Sequence, residues 1–228
     1  MLPARQLALD LGHAESYARD DFLGSSGNSD ALSMIEKWPD WPAPVLALVG
    51  PRGAGKSHLA AIWAELSGAR FLSGRGLQSG TVPGALATGA LVIEDLTAGT
   101  FEERALFHLL NLVREEQAFI LLTAEKPPTL WDLAIPDLMS RLRAVPTVIL
   151  GAPDDALLRA VFVKLFADRQ LQVDEGVISY LLTRIERSLA AAKEAVARLD
   201  AEALRRRRPI TRALAADVFR AEQLQMFD

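Results

Sequence analysis

The sequence predicts an α/β fold: a five-stranded parallel sheet flanked by helices, followed by a small all-α unit. Three observations carry this. Short apolar runs recur at residues 45–49, 70–72, 90–93, 119–122 and 147–150. Each is about one strand long and apolar on both faces, as strands buried in a parallel sheet require. Helical patterns lie between the runs, and alternating β and α elements pack as a parallel sheet covered by helices. After Gly151 no further strand-like run occurs.

The elements follow in order. Residues 1–20 have mixed polarity and no clear period, and read as a tail. Residues 21–41 read as a loop, a short helix near 30–36, and a connection rich in Trp and Pro (Trp38, Pro39, Trp41, Pro42, Pro44). The first apolar run leads through a glycine-rich loop into a helix spaced by Leu59, Ile62, Trp63 and Leu66. Thr100 with Glu103 forms a capping-box signature, followed at helical spacing by Leu106, Leu109, Leu110 and Val113. Pro153 and Asp154 open a helix whose stripe is Leu157, Leu158, Val161, Phe162, Leu165 and Phe166. Helical patterns then cover 174–184, 187–204 and 211–226. These readings divide the chain into a tail (1–20), an α/β domain (21–151) and a helical domain (152–228). Trp38, Trp41 and Trp63 read as core residues, and Trp131 as lying on a helix after the fourth strand.

Composition excludes several chemistries. The 228 residues include no cysteine, which removes disulfides, thiol nucleophiles and Cys-ligated metals. His13, His58 and His108 are too scattered for a metal triad and read as structural or solvent-facing. Residues 1–11 carry Arg5 and Asp10 and lack the apolar run of a signal peptide. The longest uncharged stretch, 76–93, holds Gly, Pro, Ser, Thr and Gln and is no membrane helix. A cytoplasmic protein is expected. With 25 basic and 29 acidic residues the formal charge is −4, so direct DNA binding is expected to be weak or absent.

Gly50-Pro51-Arg52-Gly53-Ala54-Gly55-Lys56-Ser57 fits G-x-x-x-x-G-K-[ST] without a mismatch, and a strand precedes it while a helix follows. The glycines let backbone N–H groups wrap a phosphate chain, and the helix N-terminus adds partial positive charge. Lys56 would reach the β- and γ-phosphates and Ser57 would bind Mg²⁺. Pro51, Arg52, Gly53, Ala54, Gly55 and His58 complete the candidate loop; a chance glycine loop is the other reading. The partner element is an acid at the end of an apolar strand. Glu94 and Asp95 end the run at 90–93, with Asp95 39 residues after Lys56. Glu94 would hold the water shell of Mg²⁺, and Asp95 would polarise an attacking water. A capped strand end is the alternative. The order Glu then Asp departs from the usual Asp then Asp or Glu, and the extra methylene of Glu94 bears on metal geometry and hydrolysis.

Taken together these motifs resemble the AAA+ ATPases, and within them the DnaA branch. Gly55-Lys56-Ser57-His58 is similar to that branch's Gly-Lys-Thr-His. The segment Phe22-Leu23-Gly24-Ser25-Ser26-Gly27-Asn28 resembles its adenine-contacting segment, which implicates Phe22 and Leu23. Thr123-Ala124-Glu125-Lys126-Pro127-Pro128 resembles sensor 1, with Glu where Asp is common. Asp137-Leu138-Met139-Ser140-Arg141-Leu142 resembles the motif carrying the arginine finger, Arg141; a surface arginine is the alternative. Arg184-Ile185-Glu186-Arg187 resembles sensor 2, which would bring Arg187 to the chain's own nucleotide; a lid salt bridge is the alternative. The resemblance runs from about residue 17 to the end and implies the strand order 5-1-4-3-2 and a helical lid. The chain ends at Asp228, about where such a lid should finish, and the relatives without a DNA-binding domain are the Hda family.

That family's clamp-docking peptide has the form Q-L-x-L-x-L, which Gln6-Leu7-Ala8-Leu9-Asp10-Leu11 fits. Gln6, Leu7, Leu9 and Leu11 would enter subsites of the DNA polymerase sliding clamp (the β subunit) in extended form; a tail strand packed on its own domain is the other reading. Gln223-Leu224-Gln225-Met226-Phe227 also resembles a clamp peptide, or ends the last helix. The resemblance implies bound ADP or ATP with Mg²⁺, weak intrinsic hydrolysis, and association with the replisome at the bacterial nucleoid. Docked on the clamp, the protein would present Arg141 to ATP held by DnaA. It would thereby promote hydrolysis and negatively regulate initiation of replication. A head-to-tail homo-oligomer stays open. The alternatives are an ATP-driven helicase-loader-like protein and a DNA-binding initiator paralogue using the arginines at 205–208. Residues 151–228 hold 13 basic and 12 acidic residues, so that run reads as a solvated helix end.

Overall fold

The structure is a computed structural model that describes residues 17–225, with side chains described through residue 220. Gln6, Leu7, Leu9 and Leu11 lie outside the described residues, as do Met226 and Phe227.

All five residues of β1 (Val45–Val49) are buried. The strand runs parallel between β4 (Phe119–Ala124) and β5 (Thr147–Ile149), with Val45 opposite Ile120 and Ala47 opposite Thr147. With β2 (Arg70–Ser73) and β3 (Ala90–Leu96) the order is β2-β3-β4-β1-β5, the order the resemblance implies. Because successive strand side chains point to opposite faces, β1 feeds two cores. Val45, Ala47 and Val49 pack with Ile93, Ile120 and Leu122 under α4 (Glu103–Glu115) and α5 (Pro136–Arg143). Leu46 and Leu48 pack with Val92 and Leu121 under α1 (Ser29–Glu36) and α2 (Lys56–Ser67).

The expectation that every strand is buried on both faces holds for β1, β3 and β4 and fails at the edges. β2 pairs only with β3, and β5 only with β1, leaving Phe71 50 % and Ile149 68 % exposed. On α2, Leu59, Ile62 and Trp63 are buried but Leu66 faces solvent, so the apolar stripe is narrower than its spacing suggests. Trp63 stacks on Trp41 at 4.9 Å, and Trp38 meets it edge-on.

The capping box at Thr100 does not form. The N-cap of α4 is Glu102, without a side-chain cap, and the Thr100 hydroxyl donates to the Thr97 carbonyl at 2.8 Å. The Glu103 carboxylate instead accepts the N–H groups of Ala134 and Ile135 at 3.0 and 2.9 Å, tying down the loop before α5. Trp131 is buried, but it follows a short 3₁₀ turn at Pro128–Leu130 rather than sitting on a helix, and its Nε1 donates to the Lys126 carbonyl. Between β2 and β3 lies only α3 (Val82–Ala85) and a 3₁₀ turn.

The helices after β5 are each opened by a side-chain cap. Asp154 accepts the Leu157 N–H at the start of α6 (Asp155–Asp168), and Asp174 that of Val177 at α7 (Glu175–Leu182). Ser188 accepts that of Ala191 at α8 (Leu189–Arg206). The last helix, α9 (Arg212–Gln225), includes residues 223–225 of the second clamp-like peptide. These helices share their own core of Phe162, Phe166, Leu181, Val196 and Leu199. Among the described residues no helix is long and apolar enough to cross a membrane.

Candidate functional site

The glycine loop turns from the end of β1 into α2. Gly55, the N-cap of α2, sits at φ +104°, a conformation side chains rarely adopt. Gly53 sits at φ +69°, and a Cβ there would stand 2.7 Å from the Ser188 Cβ. Glycine is therefore required at Gly53 both by conformation and by the close approach of the helical lid. Lys56 is 7 % exposed, and its Nζ donates to the carbonyls of Gly50 and Pro51 at 2.8 and 2.9 Å. Burial holds its pKa below the ordinary lysine value, opposed by the negative charges of Asp95 and Glu125. Ala54 is buried, whereas Pro51, Arg52 and Ser57 are exposed at the mouth of the loop. Arg52 lies 3.6 Å from Glu125, a long, solvent-exposed ion pair.

The acids arrive on a bulge. Ile93 is opposite Leu122 while Leu96 is opposite Ala124, so β3 spends one extra residue there. Asp95 takes φ +54° in that bulge, and its N–H donates to the hydroxyl of buried Thr123 at 3.0 Å. The bulge turns Asp95 towards the loop, and its charge is the largest of those acting on Lys56. Glu94 is half-buried in the same bulge.

Beside the loop a cleft of about 320 Å³ opens between the sheet domain and the helices after β5. One wall is Phe22, Leu23, Asn28 and His58; the facing wall is Leu157, Val161, Leu165 and Leu189. Asp21, Lys164, Asp168, Arg169 and Lys193 also line the cleft, and the apolar surface between them suits a flat aromatic base. Asn28 shapes the first wall: its side chain accepts the Ser25 N–H at 2.7 Å and donates to the Leu23 carbonyl at 3.0 Å. His58 packs edge-on against Phe22 and Tyr17. Its Nε2 lies 3.0 Å from the Ala18 carbonyl, which can only accept, so Nε2 carries a proton. Burial pushes the His58 pKa below 6.5. Contacts that join the two sides include Leu189 N–H donating to the Gly53 carbonyl at 2.8 Å, Lys164 pairing with Asp21 at 2.8 Å and Lys193 over the Tyr17 ring at 5.3 Å.

Two predicted arginines stand apart from this cleft. Arg187 pairs with Asp155 at 2.9 Å, both more than half exposed. The lid side chains that approach Gly53 are Ser188 and Ala190. Arg141 lies on α5 and is half-buried against α4, where it donates to Asn111 Oδ1 and its guanidinium covers the Phe107 ring at 4.6 Å. It lines a small recess with Pro44 and Val45, at the opposite end of β1 from Lys56. The four steps from Val45 to Val49 at about 3.3 Å each separate those ends by about 13 Å.

A family model for the Hda lid domain matches residues 155–218. Over that span the helical lid is similar to the lid of the Hda family. An uncharacterized protein of Haemophilus influenzae is 26% identical over 225 residues, covering 91% of this chain and 95% of the relative. Domain III of the replication initiation protein DnaA from Thermotoga maritima superimposes with a TM-score of 0.74 at 16% identity, covering 95% of this chain and 98% of that one. The RuvB Holliday junction branch migration motor of Thermotoga maritima gives 0.72 at 19% identity, covering 90% and 72%. AMPPCP-bound DnaA from Aquifex aeolicus gives 0.66 at 18%, covering 83% and 66%. The fold is that of the DnaA-like AAA+ module.

Several residues that build the site carry no motif. Leu157, Val161 and Leu165 of the lid were visible only as a core stripe, yet their outer edge lines the cleft. Ser188 and Ala190 reach the loop because α8 begins there, and nothing local in the sequence signals that approach. Ser57, Glu94 and Asp95 are hard oxygen donors without thiolate or imidazole competition, a set that suits Mg²⁺, which keeps several waters and borrows phosphate oxygens. Among the described residues no group of three or more His, Cys, Asp or Glu forms a self-sufficient metal cage.

Proposed function

We propose that this chain is a DnaA-related AAA+ regulator that holds an adenine nucleotide in its cleft and acts on ATP bound by DnaA. The single observation that carries the reading is the separation of Lys56 and Arg141 at opposite ends of β1. A guanidinium at the far end of β1 from its own phosphate loop is placed to serve a neighbour's. The Hda lid and the DnaA-like fold support the same reading.

In this account the base enters between Phe22 and the Leu157–Val161 face, while the phosphates meet the backbone N–H groups of residues 53–57. Lys56 exchanges two carbonyl partners for phosphate oxygens, and a polyanion beside it restores the pKa that burial lowers. The AMPPCP-bound state of the Aquifex aeolicus DnaA supports an adenine nucleotide. Ser57, with Glu94 and Asp95, would hold Mg²⁺, which supplies charge neutralisation of the β- and γ-oxygens. Thr123 positions Asp95 by accepting its N–H.

Arg141 is presented by α5 in a fixed pose. Asn111 takes one N–H, and the Phe107 face holds the plane, leaving further guanidinium donors for the γ-phosphate of a neighbouring DnaA. An arginine finger in trans accelerates transfer by roughly 10³–10⁵. The peptide Gln6 to Leu11 would dock the protein on the sliding clamp and so confine this action to replicating DNA in the cytoplasm. The outcome is negative regulation of initiation. The test is hydrolysis of DnaA-bound ATP with and without DNA-loaded clamp. Stimulation that requires both the protein and the clamp is expected. No stimulation at stoichiometric protein would refute the reading. Stimulation that survives Gln6→Ala with Leu7→Ala would remove the clamp peptide from it.

A further inference from the structure

The lid is nearly neutral in sum, yet its charges are unevenly spent. Arg159 pairs with Glu175, Arg169 with Asp200 and Arg187 with Asp155. Arg205 and Arg206 both close on Glu202, and Arg206 also reaches Asp217 at 3.1 Å. These pairs use five of the lid's twelve carboxylates. Among the described residues, Arg184, Arg207, Arg208, Arg212 and Arg220 make no ion pair.

Three of the five converge. Arg184 on α7 and Arg212 and Arg220 on α9 line one open cleft of about 490 Å³, with Tyr180, Ala213 and Ala216 between them and, among the described residues, no carboxylate in the lining. Arg184 lies over the Tyr180 ring at 5.5 Å. Small residues at Ala213 and Ala216 leave the groove open. Arg207 and Arg208 are exposed in the turn between α8 and α9, four residues or more before Arg212 in sequence. None of the cleft's residues lines the slot beside the phosphate loop.

We propose that this cleft binds the phosphodiester backbone of a nucleic acid strand. Like charges gathered without counter-ions repel one another, and a polyanion relieves that. Arg212 and Arg220 are eight residues apart on one helix, about 12 Å along its axis. One DNA strand places about three to four phosphates over that span at 3.4 Å each. A single inorganic phosphate bridges no more than one end. Among the described residues the lining offers guanidiniums and no base-reading amide or carboxylate, so contact is to the backbone and indifferent to sequence. The overall charge of −4 keeps such binding local and weak, as a protein that meets DNA beside another anchored partner requires.

The test uses the full chain and a fluorescein-labelled 20-nucleotide strand, alone and as a duplex, read by anisotropy at 50, 100 and 200 mM salt. Three phosphate contacts predict a log–log salt slope near −2 for the single strand, so affinity falls about 16-fold over that range. Replacing Arg184, Arg212 and Arg220 together with Ala should weaken binding at least about 10-fold and flatten the slope by about 2. The same three changed to Lys should keep most of both. Arg75→Ala, Arg104→Ala and Arg143→Ala together remove equal charge from exposed sites elsewhere and should cost no more than a fewfold. Thermal melts of each variant check the fold, and the lysine variant carries the test if the alanine variant melts early. No binding by the parent at 50 mM salt overturns the proposal. So does an equal loss in the distant triple variant. Displacement of the strand by polyglutamate at equal charge assigns the cleft to an acidic protein instead. Because the nucleotide slot shares no residue with this cleft, ADP affinity should be identical in parent and variant whatever its value.

Discussion

The two ends of β1 carry opposite halves of the same chemistry. At the carboxyl end the strand runs into Gly50 and a loop whose lysine is buried, bonded to two carbonyls and watched by Asp95. At the amino end Pro44 and Val45 border a recess where Arg141 is held by Asn111 and Phe107. The first end is the proposed receptor for phosphates, and Arg187 of the lid turns from it to Asp155. The second is a fixed cation without phosphates. Each half is complete only with something from outside, and the two face different neighbours. Under the proposed function, this division suits a regulator that acts on a neighbour's nucleotide.

Changes at one end should leave the other untouched. The largest effect is expected from Lys56→Ala, which removes a charged donor worth about 2–3 kcal/mol to a phosphate. ADP affinity by calorimetry should fall on the order of 100-fold; an unchanged value would mean the loop holds no phosphate. Asn111→Ala comes next. It frees Arg141 at the far end, so stimulation of DnaA should fall by about 5-fold, one hydrogen bond's worth, while ADP affinity stays put. A matching loss in ADP affinity would show that the ends are coupled.

Asp154→Ala removes the cap of α6, at the point where the lid leaves the sheet domain. Stability should drop by about 1 kcal/mol in a urea titration, and no change would mean that water caps the helix equally well. The smallest effect is at His58. Its folded pKa is lowered by burial, so the unfolded chain takes up a proton first as pH falls through 6.5. Stability present above that pH is lost as pH drops towards the folded value. Replacing His58 with Gln should flatten this decline, and an equally steep decline in the variant would place the titration elsewhere.

How much of this was legible depended on range. Strand β1 was read to the residue because five apolar residues and a glycine loop bound it. The exposed faces of β2 and β5 were not, since Phe71 and Ile149 look no different from core residues until the strand order makes them edges. Thr100 and Glu103 satisfied a local pattern, but Glu103 found stronger use at Ala134 and Ile135, about 30 residues away. Arg187 met Asp155 in the same manner. The motif located Asp95, while the bulge that turns it towards Lys56 depends on register with β4 and on Thr123. Local chemistry was readable, and the partners that decide its direction were long-range.

The central claim is that Arg141 acts outside its own chain. The most direct measurement is a pair on one variant, Arg141→Ala: the rate of DnaA-bound ATP hydrolysis it stimulates on DNA-loaded clamp, and its own affinity for ADP. The account predicts that stimulation is lost, by roughly 10³-fold if the finger supplies the lower end of its usual contribution, with ADP affinity unchanged. Full stimulation by Arg141→Ala, or loss of ADP binding alongside it, would contradict the account.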